Sequence, residues 1–388
     1  MPAQRTRTRS LAEDDAGPGT AGRPRPGRIP AVPATAPAPA TASAPAPATA
    51  PTTAMAPAPA TAGAPGTAPA SPSARPGVAP WAYHDGALVP FAEVGLPLTT
   101  QALQYGTAVF EGIRAFAVPG RDELVIFRAH DHYERFLRSC RLLRIEVAAT
   151  AEELVERTFD LLRRNGIAQD SYLRPLGYKL GLLPGTPAGV RLTGLTDAFS
   201  VTQFTLGAYT PSTGITCGVS SWSRPRSSAI PVQAKVTGGY VNSALAAEEA
   251  RAAGYDDAIL LNDRGQVAEA STANVFAVRD GRLLTPPPSA DLLPGITRDT
   301  VRVLAEGMGV DTFERDLGVP DLLQTDEVFL TGTGVGITPV TGISGRPVAD
   351  GTPGPLTRRL VRAYAETVRG AGDPRHDHWL TIVPIERG

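Results

Sequence analysis

Lysine is almost missing from this chain. Of its 37 basic residues two are lysine, Lys179 and Lys235, and the remaining 35 are arginine. Arginine supplies charge and hydrogen bonds, but its guanidinium stays protonated and cannot act as an amine nucleophile. A lysine in a desolvated pocket can lose its proton and condense with a carbonyl. Cysteine is nearly as scarce: Cys140 and Cys217, far apart, read neither as a disulfide framework nor as a zinc site. A reducing cytoplasm is the default compartment for such a chain. No stretch approaches the roughly 20 apolar residues of a membrane span. The N-terminus lacks the apolar core of a secretory signal. Its arginines and threonines resemble a transit peptide only until Glu13, Asp14 and Asp15 interrupt them. A net charge of −1 gives no electrostatic case for nucleic acid or an anionic membrane.

What is there divides into a tail and two folded units. From residue 31 to 77 the only larger apolar residues are Val32 and Met55, and the only charge is Arg75. Such a segment cannot bury enough apolar surface to offset its ordering entropy, and its prolines block helix despite the alanines. Residues 1–77 therefore read as a disordered, partly polyproline tail, and as a dispensable extension rather than a tether. The next unit, 78–206, is mixed α/β. It opens with a hairpin turning at Asp85-Gly86. Strands at 108–116 and 123–127, amphipathic helices at 129–143 and 151–164, and a strand at 171–178 follow. Residues 207–214, rich in Gly and Pro, form the expected linker. The last unit, 215–388, opens with a strand at 215–222 and a loop carrying Lys235. A helix at 240–253 follows, closed by Gly254. A strand at 257–262, a turn at 263–265 and a return from 266 to 269 come next. A hairpin turns at Asp280-Gly281, a helix spans 295–308, and a strand at 327–330 runs into a glycine-rich loop.

If the amine of Lys235 takes up an aldehyde cofactor, pyridoxal phosphate is the obvious one. Its site then needs a carboxylate that keeps the pyridine nitrogen protonated, a phosphate cup, and a donor near the ring hydroxyl. Glu269 ends a strand among small residues and can be that carboxylate, although a strand-end Glu taken alone reads as an exposed charge. Gly295, Ile296 and Thr297 open a helix, whose free N–H groups and positive dipole end favour an anion. Residues 331–334, Thr-Gly-Thr-Gly, can form a backbone nest. Either loop is equally readable as a plain cap or turn. Tyr240 begins the helix after Lys235; it reaches the ring oxygen or else packs as a core aromatic.

The order and spacing of these signals resemble the branched-chain amino acid aminotransferases, of the fold-type IV group of pyridoxal phosphate enzymes. The matching stretches are YGTAVFEGIR at 105–114, FRAHDHYER at 127–135, YLRP at 172–175 and AKVTGGY at 234–240. EASTANVF at 269–276, LPGITR at 293–298 and TGTGVGITP at 331–339 complete the set. The resemblance covers the chain from about Trp81 onward. It implies a two-domain α/β (α+β) fold like that of D-amino acid aminotransferase.

The resemblance also implies roles. Lys235 would hold the cofactor and move the proton. Glu269 would pair with the pyridinium, and Tyr240 would bond the ring hydroxyl. Arg135, which the helical pattern alone reads as a solvated charge, would bind the phosphate with the amides of Ile296 and Thr297 and with Thr333. Thr333 and Gly334 would face the substrate α-carboxylate. Tyr105, Phe110, Tyr172 and Tyr209 would line the side-chain pocket, and Arg174 would take the distal carboxylate of glutamate. The implied reaction exchanges the amino group between Leu, Ile or Val and 2-oxoglutarate. A homodimer is implied, with residues 180–183 of one copy closing the site of the other. Three positions depart from the family pattern. Leu206 stands where an aromatic residue is frequent, Val236-Thr237 where small residues are, and Gly336 where Glu is common. Rival readings are a D-amino acid aminotransferase or an aminodeoxychorismate lyase on the same scaffold, an aminotransferase for an unusual amino acid, and a scaffold protein whose working part is the tail. FEGIR at 110–114 and Tyr172-Leu173-Arg174 favour the branched-chain type.

Overall fold

The structure is a computed structural model, and it describes residues 77–207 and 210–385. The expected tail, but for Gly77, and Tyr209 lie outside the described residues.

Among the described residues, two sheets carry the fold. The first contains β1 (Val78–His84), β2 (Ala87–Pro90), β3 (Ala108–Phe110), β4 (Ile113–Ala117), β5 (Glu123–Phe127), β6 (Ser171–Leu182) and β7 (Leu195–Thr205). The second contains β8 (Ile215–Val219), β9 (Asp257–Leu261), β10 (Val267–Ala270), β11 (Asn274–Arg279), β12 (Arg282–Thr285), β13 (Thr312–Glu314), β14 (Glu327–Gly332), β15 (Gly336–Ile343) and β16 (Arg346–Pro347). A last strand, β17 (Leu380–Pro384), returns to the first sheet, which runs β17-β5-β4-β6-β7-β1-β2 with β3 also on β6. The second runs β10-β9-β8-β15-β14-β11-β12-β13, with β16 on β15. The first sheet is antiparallel throughout; the second is parallel at β8–β9, β8–β15 and β12–β13.

Local chemistry accounts for the boundaries. Asp85 and Gly86 both take positive φ, 46° and 96°, which the tight β1–β2 turn requires. The helices are α1 (Gln101–Tyr105), α2 (Ala129–Leu142), α3 (Ala151–Asn165), α4 (Tyr240–Ala252), α5 (Ile296–Gly307), α6 (Val319–Leu322) and α7 (Pro355–Thr367). In α3, Thr150 and Glu153 form a reciprocal capping box, and Gly166 ends the helix in the left-handed conformation. On one face of the first sheet, Tyr133, Phe136, Leu154 and Leu161 of α2 and α3 bury against Ile113, Ile126, Leu173 and Val201. A second apolar cluster joins the sheets: Phe116 and Phe127 pack with Phe276 and Phe329, Leu304 of α5 and Leu360 of α7. No helix among the described residues is long and apolar enough to cross a membrane.

Three expected elements change, one by growing: the strand expected over 171–178 runs on to Leu182, so residues 180–182, expected as part of a loop, are strand paired with β7. The strand expected over 108–116 is broken at Glu111 and Gly112 into β3 and β4. Glu111 is fully buried there, its carboxylate taken by side chains of α2. The strand expected over 215–222 stops at Val219, where Ser220 and Ser221 instead hydrogen-bond the Glu249 carboxylate of α4.

Candidate active site

Lys235 sits in a loop that the first sheet holds by its backbone. The Phe110 N–H donates to the Lys235 carbonyl at 3.0 Å, and Val109 and Val236 form an antiparallel bridge. Gly106 and Gly238 come so close that a Cβ on Gly106 would lie 2.7 Å from the Gly238 Cα. Thr237 Oγ1 donates to the Gly106 carbonyl at 2.9 Å. Val236 and Thr237 thus fasten the loop. The Lys235 amine donates to the Tyr240 hydroxyl at 2.7 Å and lies 5.0 Å from the centre of the Phe110 ring.

Two adjoining cavities share Lys235, Thr272 and Thr333. The inner one is also lined by Arg135, Glu269, Asn274, Ile296 and Thr297. Glu269 is 5 % exposed, and Arg224 pairs with its Oε1 at 2.7 Å. Its Oε2 accepts from Asn274 Nδ2 at 3.1 Å and from the Leu293 N–H at 3.2 Å. Burial pushes the Glu269 carboxyl above its ordinary range, and Arg224, the Leu293 N–H, Lys235 and Arg135 offset this only in part. At the other end, Arg135 is buried and donates from Nη1 to the Pro294 carbonyl at 2.9 Å. Gly295 begins α5 with no side-chain cap, so the first amides of the helix keep their positive end for a ligand. The Thr331 hydroxyl is buried in the same cavity without a hydrogen-bond partner among the described residues.

The outer cavity, of about 480 Å³, is lined by Phe110, Tyr172, Phe204, Leu206, Gly334 and Arg174. The Tyr172 and Phe204 rings stack at 5.0 Å, and Tyr172 lies where any Cβ on Gly112 would collide with it. The Arg174 guanidinium lies 4.6 Å from the Phe110 ring centre, and its Nε is buried without a partner among the described residues. An apolar wall with one incompletely satisfied cation suits both an aliphatic side chain and a carboxylate.

The class IV aminotransferase family model matches residues 108–343. A probable branched-chain-amino-acid aminotransferase of Aquifex aeolicus is 42 % identical over 78 % of this chain and 96 % of its own length. The chain belongs to the class IV aminotransferases. The branched-chain-amino-acid aminotransferase of Escherichia coli K12 is 36 % identical over 79 % of this chain and 98 % of its own. Among solved structures, the Thermoproteus uzoniensis branched-chain aminotransferase with norvaline matches with a TM-score of 0.74 and 38 % identity, over 79 % of this chain and 99 % of its own. Another solved branched-chain amino acid aminotransferase, complexed with N-(5'-phosphopyridoxyl)-L-glutamate, matches with a TM-score of 0.73 and 40 % identity, over 78 % of this chain and 98 % of its own.

The cofactor of this class IV aminotransferase is pyridoxal phosphate, and the residues present fit it. The inner cavity offers a buried carboxylate, an amine, a guanidinium, an uncapped helix start and the orphaned Thr331 hydroxyl. Lys235, Tyr240, Glu269, Arg135, Ile296, Thr297 and Thr333 come together around it and its neighbour. Phe110, Tyr172, Arg174, Thr333 and Gly334 line the outer cavity. Tyr105 does not: it ends α1, is 44 % exposed, and lines neither cavity among the described residues. Gly106, left-handed at φ 66°, turns the chain inward only after it. The solvated-charge reading of Arg135 is corrected, since the buried Glu111 carboxylate draws it inside. Sequence reasoning passed over Arg224, one arginine among many in an aperiodic loop. It quoted Asn274 and Glu111 within motifs without giving either a task. It gave no task to Arg114 either, which ends the FEGIR motif and donates to the Leu206 carbonyl at 2.8 Å and to the Gly334 carbonyl at 3.4 Å, tying two walls of the outer cavity together.

Proposed function

We propose that this enzyme transfers the amino group between branched-chain L-amino acids and 2-oxoglutarate, releasing branched 2-oxo acids and L-glutamate. The observation that carries the reading is Arg174 in the aromatic wall beside Lys235, its Nε without a partner among the described residues. That pocket accepts Leu, Ile or Val by apolar contact, and glutamate by the guanidinium, in alternate half-reactions. The names of the relatives point the same way.

Pyridoxal phosphate, when bound, supplies an electron sink for the pair left as the substrate Cα–H bond breaks. The chain does the rest. The Lys235 amine would take the Cα proton and pass it to the cofactor carbon that keeps the amino group, and would run the same transfer backward to Cα of the 2-oxo acid. Tyr240 holds that amine in place at 2.7 Å. Glu269, kept in position by Arg224 and Asn274, would pair with the ring nitrogen of the cofactor and keep it protonated. Arg135, Ile296 and Thr297 would hold the phosphate end, with Thr333. The Thr333 and Gly334 amides orient the α-carboxylate.

The working unit is a homodimer. Leu98, Leu103 and Tyr105 are exposed, and α1 meets the region of Leu182, Leu183 and Val190 through a Gln101 bond to the Gly189 carbonyl. These exposed apolar side chains support an interaction site on this side of the chain. A second copy covers it and brings residues 180–183 to the neighbouring site. Each sheet is the centre of one domain, the two meeting at 207–214, and β17 belongs with the first. The enzyme is cytoplasmic, a placement supported by two free, buried cysteines, Cys140 and Cys217.

An amino-donor panel with 2-oxoglutarate tests the substrate assignment. Val, Leu and Ile are expected to outrun Phe and Ala, and a flat profile overturns it. A donor outside the panel that outruns all five assigns the pocket at Leu206 to an unusual amino acid. Chiral analysis of the glutamate formed excludes the D-amino acid reading, and absence of pyruvate from aminodeoxychorismate excludes the lyase.

A further inference from the structure

We propose that Glu111, steadied by His132, is a positioning residue that presets the Arg135 guanidinium for the cofactor phosphate. The proposal rests on the assignment of Arg135 to that phosphate.

Glu111 is 0 % exposed and lies in the break between β3 and β4. Its carboxylate takes the side edge of the guanidinium in a fork: Oε1 accepts from Arg135 Nε at 2.7 Å, and Oε2 from Nη2 at 2.9 Å. His132 Nδ1 lies 2.9 Å from Oε2, and the Gly112 N–H donates to it at 3.3 Å. An ionised carboxylate only accepts, so Nδ1 carries the proton of that ring. Burial pushes the Glu111 carboxyl up, but Arg135 and the His132 hydrogen bond outweigh it and hold the group ionised. Burial drives the His132 ring the other way, toward its neutral form, so the triad is one anion, one cation and one neutral donor.

The consequence lies in the donors that remain. A guanidinium has five N–H groups. Glu111 takes two and the Pro294 carbonyl takes a third, so the two left are one on Nη1 and one on Nη2. The two nitrogens that carry them form the end of the guanidinium, the edge that suits a phosphate. Without Glu111 the side chain is a buried cation that must turn to find an acceptor. Glu111 is itself fixed, because its N–H donates to the Pro175 carbonyl at 2.9 Å. Its neighbour Phe110 holds the Lys235 carbonyl and lies under the Lys235 amine. Two adjacent residues therefore set both the amine end and the phosphate end of one cavity.

The test compares two aldehydes that differ only in the phosphate. Full-length apoenzyme is titrated with pyridoxal 5'-phosphate and separately with pyridoxal, and the ratio of the two affinities is taken for wild type, Glu111→Gln, His132→Leu and Arg135→Ala. The ratio is expected to fall at least tenfold in Glu111→Gln and at least threefold in His132→Leu, with pyridoxal affinity changing less than twofold. A purely structural role lowers both affinities together and leaves the ratio alone, which overturns the proposal. A ratio that rises in Glu111→Gln overturns it too, because the carboxylate then serves only to neutralise Arg135. If Glu111→Gln does not fold, the His132→Leu ratio decides by the same rule. An unchanged ratio in Arg135→Ala removes the phosphate assignment and this proposal with it; a fall there with none in the other two defeats the proposal alone.

Discussion

At the scale of the residue, the scarce lysine and the buried acid behind Arg135 make separate claims. Lys235 is the one amine among the described residues at the junction of the two cavities, held by Tyr240. General-base catalysis by a positioned side chain contributes roughly 10²–10⁴-fold. Lys235→Ala is therefore expected to slow the first half-reaction by at least that factor, read by single-turnover absorbance with valine; wild-type speed would remove the lysine from the chemistry. Glu111 makes a claim about pH. Its carboxyl is held below its ordinary value of 4.5 by Arg135 and His132 against the effect of burial. A depressed folded-state pKa contributes stability that is complete above 4.5 and is lost as pH falls below it toward the folded value. The gap in unfolding free energy between wild type and Glu111→Gln should be widest above that value and narrow on acidification. Urea titrations across the acid range read it, and a gap independent of pH contradicts an ionised Glu111.

Secondary-structure elements show where local pattern was enough and where it was not. The helices expected at 129–143, 151–164, 240–253 and 295–308 end within one residue of α2, α3, α4 and α5. Their limits are set by nearby residues: the Thr150–Glu153 box, and Gly166 and Gly254 at positive φ. The break at Glu111 was hidden because its cause is a partner on α2, and no period in residues 108–116 records that. Likewise β17 pairs Leu380 with Phe127 and Val383 with Leu124, a ladder that a reading by neighbours cannot find. Within the site, Lys235 and Glu269 stood out through the motifs that accompany them rather than by residue type alone, and Arg135 by family resemblance. Arg224 needed the fold to bring it to Glu269. The junction before α5 carries a prediction of its own. A Cβ on Gly295 would lie 2.1 Å from Asn274 Oδ1. Asn274 would have to leave both Glu269 and the Leu293 carbonyl, to which it donates at 3.1 and 2.9 Å. At roughly 0.5–1.5 kcal/mol per hydrogen bond, Gly295→Ala should lose about 1–3 kcal/mol of stability and weaken binding of pyridoxal phosphate. Chemical denaturation and cofactor titration measure the two, and a variant matching wild type in both would show that the junction has room.

For the whole molecule, the open question is what covers α1. Leu98 is 84 % exposed, Leu103 64 % and Val190 74 %, while the interior of the same region, Ala108, Tyr178 and Ala198, is closed. Three large apolar side chains left in water make sense if a second copy buries them. Fully burying such a side chain is worth about 1.5–3 kcal/mol. A two-fold interface buries each residue twice, so loss of a single leucine is doubled in the dimer. Leu103→Asp places a charge on that face and is expected to shift sedimentation toward the monomer at micromolar concentration. Because α1 is capped by Gly106, which is packed against Gly238 of the Lys235 loop, the same substitution should lower turnover if it separates two copies. Activity recovering as enzyme concentration is raised would tie the loss to assembly rather than to misfolding. A Leu103→Asp protein that sediments as wild type does would place the dimer interface elsewhere and leave the exposure of Tyr105 to be explained within one chain.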